Sequence, residues 1–189
     1  MARYGPAVFI GGVILTGGRG RRLGGADKSA LVLEGKTLLE HAIEAMSEVA
    51  EIVVVGESRT TTRKVKFARE HPAGSGPAAG VLAGLHAFAT LPDMVAVLAV
   101  DMPRVNASTF RRLMLDAGRD GAVLVDELGK KQHLCGVYVA KALLKAAPAD
   151  AAGVPMKALL KPLKLSKVPA VGAEARDIDS WDDLDRIGD

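Results

Sequence analysis

Hydrophobic residues along this 189-residue chain form short continuous runs that alternate with stretches of helical periodicity. Continuous apolar runs of four to eight residues, bounded by turn residues, are typical of strands buried on both faces of a parallel sheet. Such runs occupy residues 7–15, 52–55, 94–100, 122–125 and 134–139, and weaker ones occupy 30–33 and 65–68. The first is interrupted only by Gly11-Gly12, and the run at 94–100 is the most uniformly apolar.

Apolar residues spaced three and four apart predict helices between these runs. The predicted helices cover residues 38–46, 78–90, 109–117, 141–147 and 155–160, and a last one follows Ser180. Thr37 with Glu40, and Ser180 with Asp183, have capping-box spacing, and Asn106 or Ser108 can cap the third helix. Strands that alternate with helices predict an α/β protein with three α/β/α layers around a mostly parallel, Rossmann-like sheet.

Composition narrows the class of protein without identifying it. The chain is long enough for one sizeable core and too short for two full domains, so we expect a single domain over residues 1–189. The net charge of +3 and the aromatic content of 4% are too low to indicate nucleic acid binding. The single cysteine, Cys135, cannot form an intramolecular disulfide, and neither a signal peptide nor a run of ~20 apolar residues is evident. We therefore expect a cytoplasmic protein with no membrane partner.

The most distinctive segment is the glycine-rich, basic stretch from Leu15 to Lys28, which directly follows the first apolar run. Five glycines and four arginine or lysine residues share its fourteen positions. Glycine lets main-chain N–H groups approach an anion without a Cβ in the way, and the cationic side chains hold phosphate. Because the segment leaves the carboxyl end of a predicted strand, it predicts a phosphate-binding loop in the ligand crevice of the sheet.

Two common phosphate-binding motifs do not fit this loop. The P-loop pattern G-x-x-x-x-G-K-[ST] fails because Asp27 stands where the second glycine belongs, although Lys28-Ser29 matches its end. The dinucleotide pattern G-x-G-x-x-G begins at Gly18 and is broken by Leu23. The pattern that does match is L-x-G-G-x-x-x-R-[ML]-G-x-x-D-K, carried by Leu15, Gly17, Gly18, Arg22, Leu23, Gly24, Asp27 and Lys28.

This pattern resembles that of nucleotidyltransferases that transfer NMP from an NTP to a phosphorylated acceptor, and most of all that of the molybdenum cofactor guanylyltransferases. Three further segments carry the resemblance: Gly76-Pro77-x-x-Gly80, Asp101-x-Pro103 and Asp177-Ile178-Asp179. It implies a fold of the nucleotide-diphospho-sugar transferase type. It also implies transfer of GMP from GTP to the molybdopterin cofactor, with release of pyrophosphate and with Mg²⁺ as cofactor. Residues 1–105 would form the nucleotide-binding half and residues 106–189 the acceptor-binding half.

The resemblance also implies roles for individual residues. Arg22 and Lys28 would hold phosphate charge, and together with Asp101 they form the expected catalytic set. Asp101 and Asp179 would hold Mg²⁺, while His133 and Lys157 would lie on the acceptor side. The expected nucleotide-binding residues are Leu15, Thr16, Gly17, Gly18, Lys28, Glu70, Gly76, Pro77, Gly80 and Asp101. Main-chain groups of Leu15, Thr16 and Gly17 would read the base.

Three of these assignments, those of Pro77, Asp101 and Asp179, also have support from the residues themselves. Pro77 is well suited to the first position of a helix, and the N-terminus of that helix would present free N–H groups to an anion. Asp101 follows the most apolar run, where a carboxylate would face the ligand crevice. Asp177 and Asp179 alternate with Ile178, which would place both carboxylates on one side of a strand.

The chain departs from the family pattern at two places. His71 stands where many members carry Asp, and Asp177-x-Asp179 stands where several carry Asn-x-Asn. The carboxylates of this Asp-x-Asp segment favour a second metal ligand in addition to Asp101. Two other functions stay open: a cytidylyl- or guanylyltransferase with a different phosphorylated acceptor, and a nucleotide-binding regulator without catalytic activity. Transient contact with other molybdenum-cofactor proteins is consistent with the guanylyltransferase function. The oligomeric state is open.

Overall fold

The computed structural model describes residues 8–17 and 23–188, which are built around a seven-stranded sheet. The strands are β1 (Ile10–Leu15), β2 (Val32–Leu33), β3 (Lys36–Thr37), β4 (Glu51–Val55), β5 (Lys66–Ala68), β6 (Met94–Ala99), β7 (Gly121–Val125), β8 (Lys131–Val139) and β9 (Ser166–Pro169). The helices are α1 (Leu38–Ala45), α2 (Pro77–His86), α3 (Ala107–Leu115), α4 (Ala140–Ala146), α5 (Met156–Leu160) and α6 (Trp181–Gly188). A short 3-10 turn covers Lys28–Ala30. None of the described helices is long and apolar enough to cross a membrane.

The order of strands in the sheet is β5-β4-β1-β6-β8-β7-β9, and β2 pairs with β3 in a separate hairpin. Strands β5, β4, β1 and β6 are parallel neighbours, and β7 is parallel to β9. Only β8 runs antiparallel to its two neighbours, β6 and β7. The mostly parallel sheet confirms the fold class expected from the alternating strand and helix patterns.

Two apolar layers enclose the sheet. Ile14 of β1 packs in one layer with α1 and α3, whereas Val13 and Leu15 pack in the other with α2, α4 and α5. Because neighbouring residues of β1 and β6 point into opposite layers and both layers are dry, these strands are apolar at nearly every position. This double burial explains why the central strands were recognisable as continuous hydrophobic runs.

The glycine pair inside the first apolar run allows close packing of helices on both faces. A Cβ on Gly11 would lie 2.6 Å from Cζ of Phe88, and one on Gly12 would lie 2.7 Å from Sδ of Met46. Both distances are below van der Waals contact, so a larger residue at either position would force the side chain of Phe88 or of Met46 to shift. The interruption in the run is therefore part of the core rather than a break in the strand.

The helix caps agree with the sequence in part. The Oγ1 atom of Thr37 accepts a bond from the N–H of Glu40 at 3.2 Å, as predicted. The Glu40 carboxylate accepts from the N–H of Thr62 at 2.9 Å instead of returning to Thr37, so the capping-box half of that prediction was wrong. For α6 the reciprocal pair is present: Asp183 accepts from the N–H of Ser180 at 2.9 Å, and its own N–H donates to the Ser180 hydroxyl at 3.3 Å.

Two segments differ from the predictions. Strand β9 was not predicted; among its four residues only Val168 is buried, so it lacks an apolar run. The segment Asp177-Ile178-Asp179 was predicted as strand and belongs to no strand of the structure. The expected alternation nevertheless holds, because Ile178 is fully buried while both aspartates are exposed.

Candidate active site

A cavity of about 820 Å³ opens at the carboxyl ends of β1, β4 and β6. The start of α2, the beginning of β8 and the beginning of α5 form its other walls. Of the residues singled out from the sequence, its lining includes Leu15, Gly17, Lys28, Glu70, Gly76, Pro77, Gly80, Asp101, His133, Lys157 and Asp177. The candidates from both halves of the chain thus share one cavity, of a size that is ordinary for a small-molecule site.

Five residues need separate mention. Thr16 lies between two lining residues, and Asp179 reaches the cavity wall through an ion pair with Lys28. Gly18 and Arg22, the second expected to be catalytic, lie outside the described residues. His71 is exposed and is not part of the lining.

Lys28 is a buried cation held between two carboxylates. Its Nζ atom donates to Oδ2 of Asp101 at 2.9 Å and to Oδ1 of Asp179 at 2.7 Å. Burial lowers the pKa of Lys28, but the hydrogen bonds and charges of the two aspartates outweigh burial and leave the pKa above its usual value. The side chain is therefore a permanent positive charge at neutral pH.

The loop that carries Lys28 is fixed by its neighbours. Asp27 caps the 3-10 turn by accepting bonds from the N–H of Ser29 at 2.9 Å and from its hydroxyl at 2.6 Å. Arg59 also pairs with Asp27. Burial raises the pKa of Asp27, but the bonds from Ser29 and Arg59 bring it below the usual value. The D-K-S sequence thus provides both the cation and the cap that orients it.

Asp101 and the aspartates at 177 and 179 meet through a main-chain bond. The N–H of Ile178 donates to the carbonyl oxygen of Asp101 at 2.9 Å, and the Ile178 side chain is fully buried in the core. This anchor leaves Asp177 and Asp179 on either side of it, next to Asp101. The triplet is therefore placed by one buried isoleucine rather than by a sheet.

The three carboxylates bring more negative charge than Lys28 neutralises. Desolvation of its carboxyl group beside the cavity raises the pKa of Asp177, and the neighbouring carboxylates of Asp179 and Asp101 raise it further. Two oxygens, Oδ1 of Asp101 and Oδ2 of Asp179, accept no hydrogen bond from a described residue. Such hard oxygen donors fit the ligand preference of Mg²⁺.

Protein ligands alone would not complete that metal site. The described ranges contain no group of three or more His, Cys, Asp or Glu side chains arranged to hold a metal ion. A site with two carboxylates still fits Mg²⁺, because this ion normally keeps several waters and takes the rest of its ligands from substrate phosphates. The residues present are thus compatible with Mg²⁺ bound together with a nucleotide.

Another wall of the cavity is basic. Lys130 and Lys131 line it from the β7–β8 turn and the start of β8, and Lys157 lines it from α5. His133 lies among them. Partial burial lowers the pKa of its imidazole below 6.5, and the positive charges of Lys131 and Lys157 lower it further. The ring is therefore neutral at pH 7, and the lysines supply the positive charge of this wall.

The start of α2 forms a third wall. Gly76 is the N-cap residue and Pro77 occupies the first turn, as predicted, and both line the cavity. A helix N-terminus carries free N–H groups and a partial positive charge, which favour an anion. Glu70 lies nearby and accepts a bond from the N–H of Gly74 at 3.0 Å, which closes the loop before the helix.

Sequence reasoning missed several lining residues. They are Val55, Gly56, Gly74, Ala99, Val100, Met102, Lys130, Lys131, Gln132, Leu134, Pro155 and Met156. For Val55, Ala99 and Val100 the position at or after the carboxyl end of a predicted strand was an available signal. Met156 and the lysine pair carry no local signal, because their place at the cavity depends on how β8 and α5 pack.

Comparisons with known proteins agree with this geometry. The family model described as MobA-like NTP transferase domain matches residues 12–168. A probable molybdenum cofactor guanylyltransferase of Opitutus terrae is 35% identical over 145 residues, 74% of this chain and 71% of that protein. A molybdenum cofactor guanylyltransferase of Acidiphilium cryptum is 37% identical over 132 residues, 67% of this chain and 65% of its own length.

A solved structure has the same architecture. Molybdopterin-guanine dinucleotide biosynthesis protein A from Archaeoglobus fulgidus superposes with a TM-score of 0.70 at 25% identity. The match covers 93% of this chain and 95% of that one. A nucleotidyl transferase from Methanothermobacter superposes with a TM-score of 0.75 at 23% identity, which is a likeness of fold.

Proposed function

This chain belongs to the family of MobA-like NTP transferase domains, and from that membership we propose that it transfers GMP from GTP to the terminal phosphate of the molybdenum-molybdopterin cofactor. The products are the guanine dinucleotide form of the cofactor and pyrophosphate. Relatives at 35% and 37% identity bear the name molybdenum cofactor guanylyltransferase, which supports GTP and this acceptor as the substrates.

One observation carries the proposal: Lys28, Asp101 and Asp179 form a charged cluster at the cavity that the start of α2 and the basic wall also line. A helix N-terminus and a buried ammonium suit the triphosphate. The lysines on the other wall suit a second anionic group. The cavity thus has cationic groups for two phosphorylated molecules and a carboxylate cluster beside them, which suits a reaction that joins the two molecules.

In the proposed reaction an oxygen of the acceptor phosphate attacks the α-phosphorus of GTP. The new bond forms as the bond from the α-phosphorus to the bridging oxygen breaks, and the electron pair leaves with pyrophosphate. The protein contributes chiefly position and neutralisation of charge, as is usual for phosphoryl and nucleotidyl transfer. Lys28 holds charge at the α-phosphate, and Arg22, outside the described residues, is assigned the β- and γ-phosphates.

Asp101 and Asp179 are the residues that would hold Mg²⁺ in this proposal. When bound, the ion neutralises phosphate charge that the protein's own cations do not reach. Lys28 keeps the two carboxylates oriented toward each other, since it bonds to one oxygen of each. The other oxygen of each carboxylate accepts no hydrogen bond from a described residue.

We assign the guanine base to the end of β1, where the fold leaves few main-chain groups free to bind it. The Leu15 carbonyl accepts from the N–H of Val100 at 3.0 Å. Both the N–H and the hydroxyl of Thr16 donate to the Val55 carbonyl, at 3.1 and 3.0 Å. Reading of the base then falls to the Thr16 carbonyl and the Gly17 main chain, which no described residue engages. A carbonyl acceptor suits the N1–H and N2–H₂ donors on the pairing edge of guanine.

The acceptor phosphate is assigned to the basic wall. Lys131 and Lys157 supply its charge, and the neutral His133 ring can donate one hydrogen bond and accept another. Lys161, four residues after Lys157, is exposed and is not part of the lining. Lys157 therefore keeps its expected role and Lys161 serves as a matched control.

The test is pyrophosphate release by the purified protein with GTP, Mg²⁺ and molybdenum cofactor. We expect release only when all three are present, and calorimetry should show tighter binding of GTP than of CTP. Tighter CTP binding would point to a cytidylyltransferase, and GTP binding without pyrophosphate release with the cofactor would point to a regulator. Either result would contradict the proposal.

A further inference from the structure

A buried carboxylate lies outside the cavity, and described residues donate hydrogen bonds to both of its oxygens. Glu174 is 4% exposed. Its Oε1 atom accepts from the Thr109 hydroxyl at 2.7 Å, and its Oε2 atom accepts from Arg112 at 2.5 Å and from the N–H of Val171 at 2.8 Å. The reaction proposed above assigns no role to this group.

Glu174 connects the two parts of the chain that deliver the candidate metal ligands. Thr109 and Arg112 lie on α3, the helix that begins shortly after Asp101. Glu174 lies in the turn that leads from β9 to Asp177 and Asp179. A shift of that turn against α3 would therefore move Asp179 relative to Asp101.

The other end of the aspartate segment is already fixed. The Ile178 N–H is bonded to Asp101, and the Ser180–Asp183 pair caps the helix that follows. Glu174 is the corresponding anchor on the N-terminal side. Three anchors on so short a segment hold its carboxylates more rigidly than an exposed loop would.

A contribution to stability is a weak explanation for a buried carboxylate at this place. Burial raises the pKa of Glu174, but Arg112, Thr109 and the Val171 amide bring it below its usual value, so the group is charged at neutral pH. A buried ion pair is often no more stabilising than apolar residues of the same volume. Because this charged group is hydrogen-bonded to both elements, it fixes the position of the turn relative to α3.

We propose that Glu174 is a positioning residue that, together with the Ile178 anchor, sets the separation of Asp101 and Asp179, and thereby the affinity of the site for a divalent cation. The inference rests on the proposed function, because it assumes that these two aspartates bind the metal. Partners that orient metal ligands commonly change metal affinity 10–100-fold when they are removed.

The chain offers a matched pair of variants whose arginine partners are neighbours on one helix, α3. Glu174→Gln removes the charge from the buried contact to Arg112. Glu48→Gln removes it from the exposed contact that the neighbouring Arg111 makes, at 2.7 Å. Arg112→Met and Arg111→Met form a second pair, in case Glu174→Gln does not fold. All variants are compared well below their unfolding temperatures.

The measurement is Mn²⁺ binding, followed by electron paramagnetic resonance, in the presence of a GTP analogue that cannot be cleaved between the α- and β-phosphates. We expect the Mn²⁺ dissociation constant to rise about tenfold in Glu174→Gln and in Arg112→Met, and to stay unchanged in Glu48→Gln and Arg111→Met. Binding of the analogue without metal should be unchanged in all four. Folded Glu174→Gln or Arg112→Met protein with the wild-type Mn²⁺ affinity would overturn the positioning role alone. Wild-type protein that binds no Mn²⁺ would overturn both this role and the metal part of the proposed function.

A second measurement uses no metal. Trp181 is the single tryptophan of the chain and lies two residues beyond Asp179. We expect acrylamide to quench its fluorescence more in Glu174→Gln than in wild type or Glu48→Gln. Equal quenching in all three would contradict the claim that Glu174 fixes this segment.

Discussion

The ammonium nitrogen of Lys28 lies 2.9 Å from the Oδ2 atom of Asp101, although 73 positions of sequence separate the two residues. Asp179 lies 2.7 Å from the same nitrogen, from the other end of the chain. The contact joins the loop after β1, the turn after β6 and the segment before α6 at one point of the cavity wall. The lysine thus orients both candidate metal ligands and is itself near the place assigned to the α-phosphate.

Replacing Lys28 with Met should weaken GTP binding about tenfold, or about 1.4 kcal/mol, because it removes the ammonium that the proposed function assigns to the α-phosphate. The measurement is calorimetry with GTP in the presence of EDTA, so that metal binding does not contribute. Lys36→Met is the control: Lys36 also pairs with a carboxylate, Glu44 at 2.6 Å, but on the exposed surface. Wild-type GTP affinity in folded Lys28→Met would mean that the lysine serves the carboxylates alone.

Much of the fold was predictable because its central strands are buried on both faces. β4 and β6 stand out as uniformly apolar runs, and Asp101 stands out because it follows the more apolar of the two. Strand β9 escaped prediction since only Val168 of its four residues is buried, and its pairing with β7 depends on tertiary packing. Local pattern therefore identifies the middle of the sheet better than its edge.

The site was predictable only where it has a local signature. The glycine-rich loop and the Gly76-Pro77 helix start carry one. The ion pair between Asp179 and Lys28 spans 151 positions and was not predicted, since the resemblance implied only that Asp179 joins Asp101 at Mg²⁺. Glu174 carries no signature at all, because its partners Thr109 and Arg112 lie more than 60 positions away. Contacts of that kind follow from the packed structure and not from spacing.

The titration of His133 should report the charge of the acceptor wall. Because its pKa is lowered, this histidine binds fewer protons in the folded than in the unfolded chain between its folded pKa and 6.5. Its contribution to stability is therefore complete above pH 6.5 and falls as the pH drops through that window. Lys131→Met should raise the folded pKa, since a nearby positive charge that opposes protonation is removed.

The midpoint of the His133 titration, which gives its folded pKa, can be followed by NMR of the ring protons. Lys157→Met should also raise it, and by less than Lys131→Met does. Lys161→Met is the control, because Lys161 lies at the end of α5 outside the cavity lining. An equal shift in the control would mean that the effect comes from the net charge of the protein rather than from the wall.

Gly56→Ala should destabilise the fold by about 2 kcal/mol, because the added Cβ would overlap the Thr16 hydroxyl oxygen. That hydroxyl cannot turn away without losing its bond to the Val55 carbonyl, which is 3.0 Å long. Adding Thr16→Ala to Gly56→Ala should recover much of the loss, giving a clear coupling in a double-mutant cycle measured by urea unfolding.

The control for that cycle is Gly17→Ala. A Cβ on Gly17 would meet no described atom within 4 Å, so its unfolding free energy should stay within about 0.5 kcal/mol of wild type. Additive effects of Thr16→Ala and Gly56→Ala would show that the cost at Gly56 comes from its backbone conformation and not from the contact with Thr16.

The sharpest test of the proposed metal site is Asp101→Asn. The carboxylate follows the apolar strand β6 and bonds to Lys28, so its position is set by a rigid, buried element. Removing its charge takes a hard anionic ligand from the site, and we expect turnover to fall ~10²-fold, about 3 kcal/mol of transition-state stabilisation. Asp179→Asn should cost less, because Asp179 is half exposed and part of the family is expected to carry Asn there.

Pyrophosphate release measured across a Mg²⁺ titration separates the two roles of Asp101. Loss of a metal ligand should raise the Mg²⁺ concentration for half-maximal rate, whereas loss of the Lys28 contact alone should leave it unchanged and raise the KM for GTP. Asp93→Asn is a suitable control, because Asp93 accepts a bond from the N–H of Phe9 at 2.9 Å, lies outside the cavity lining and keeps an acceptor oxygen as Asn. Wild-type Mg²⁺ dependence in folded Asp101→Asn would place the metal elsewhere, because a ligand cannot lose its charge without changing the affinity of the ion it holds.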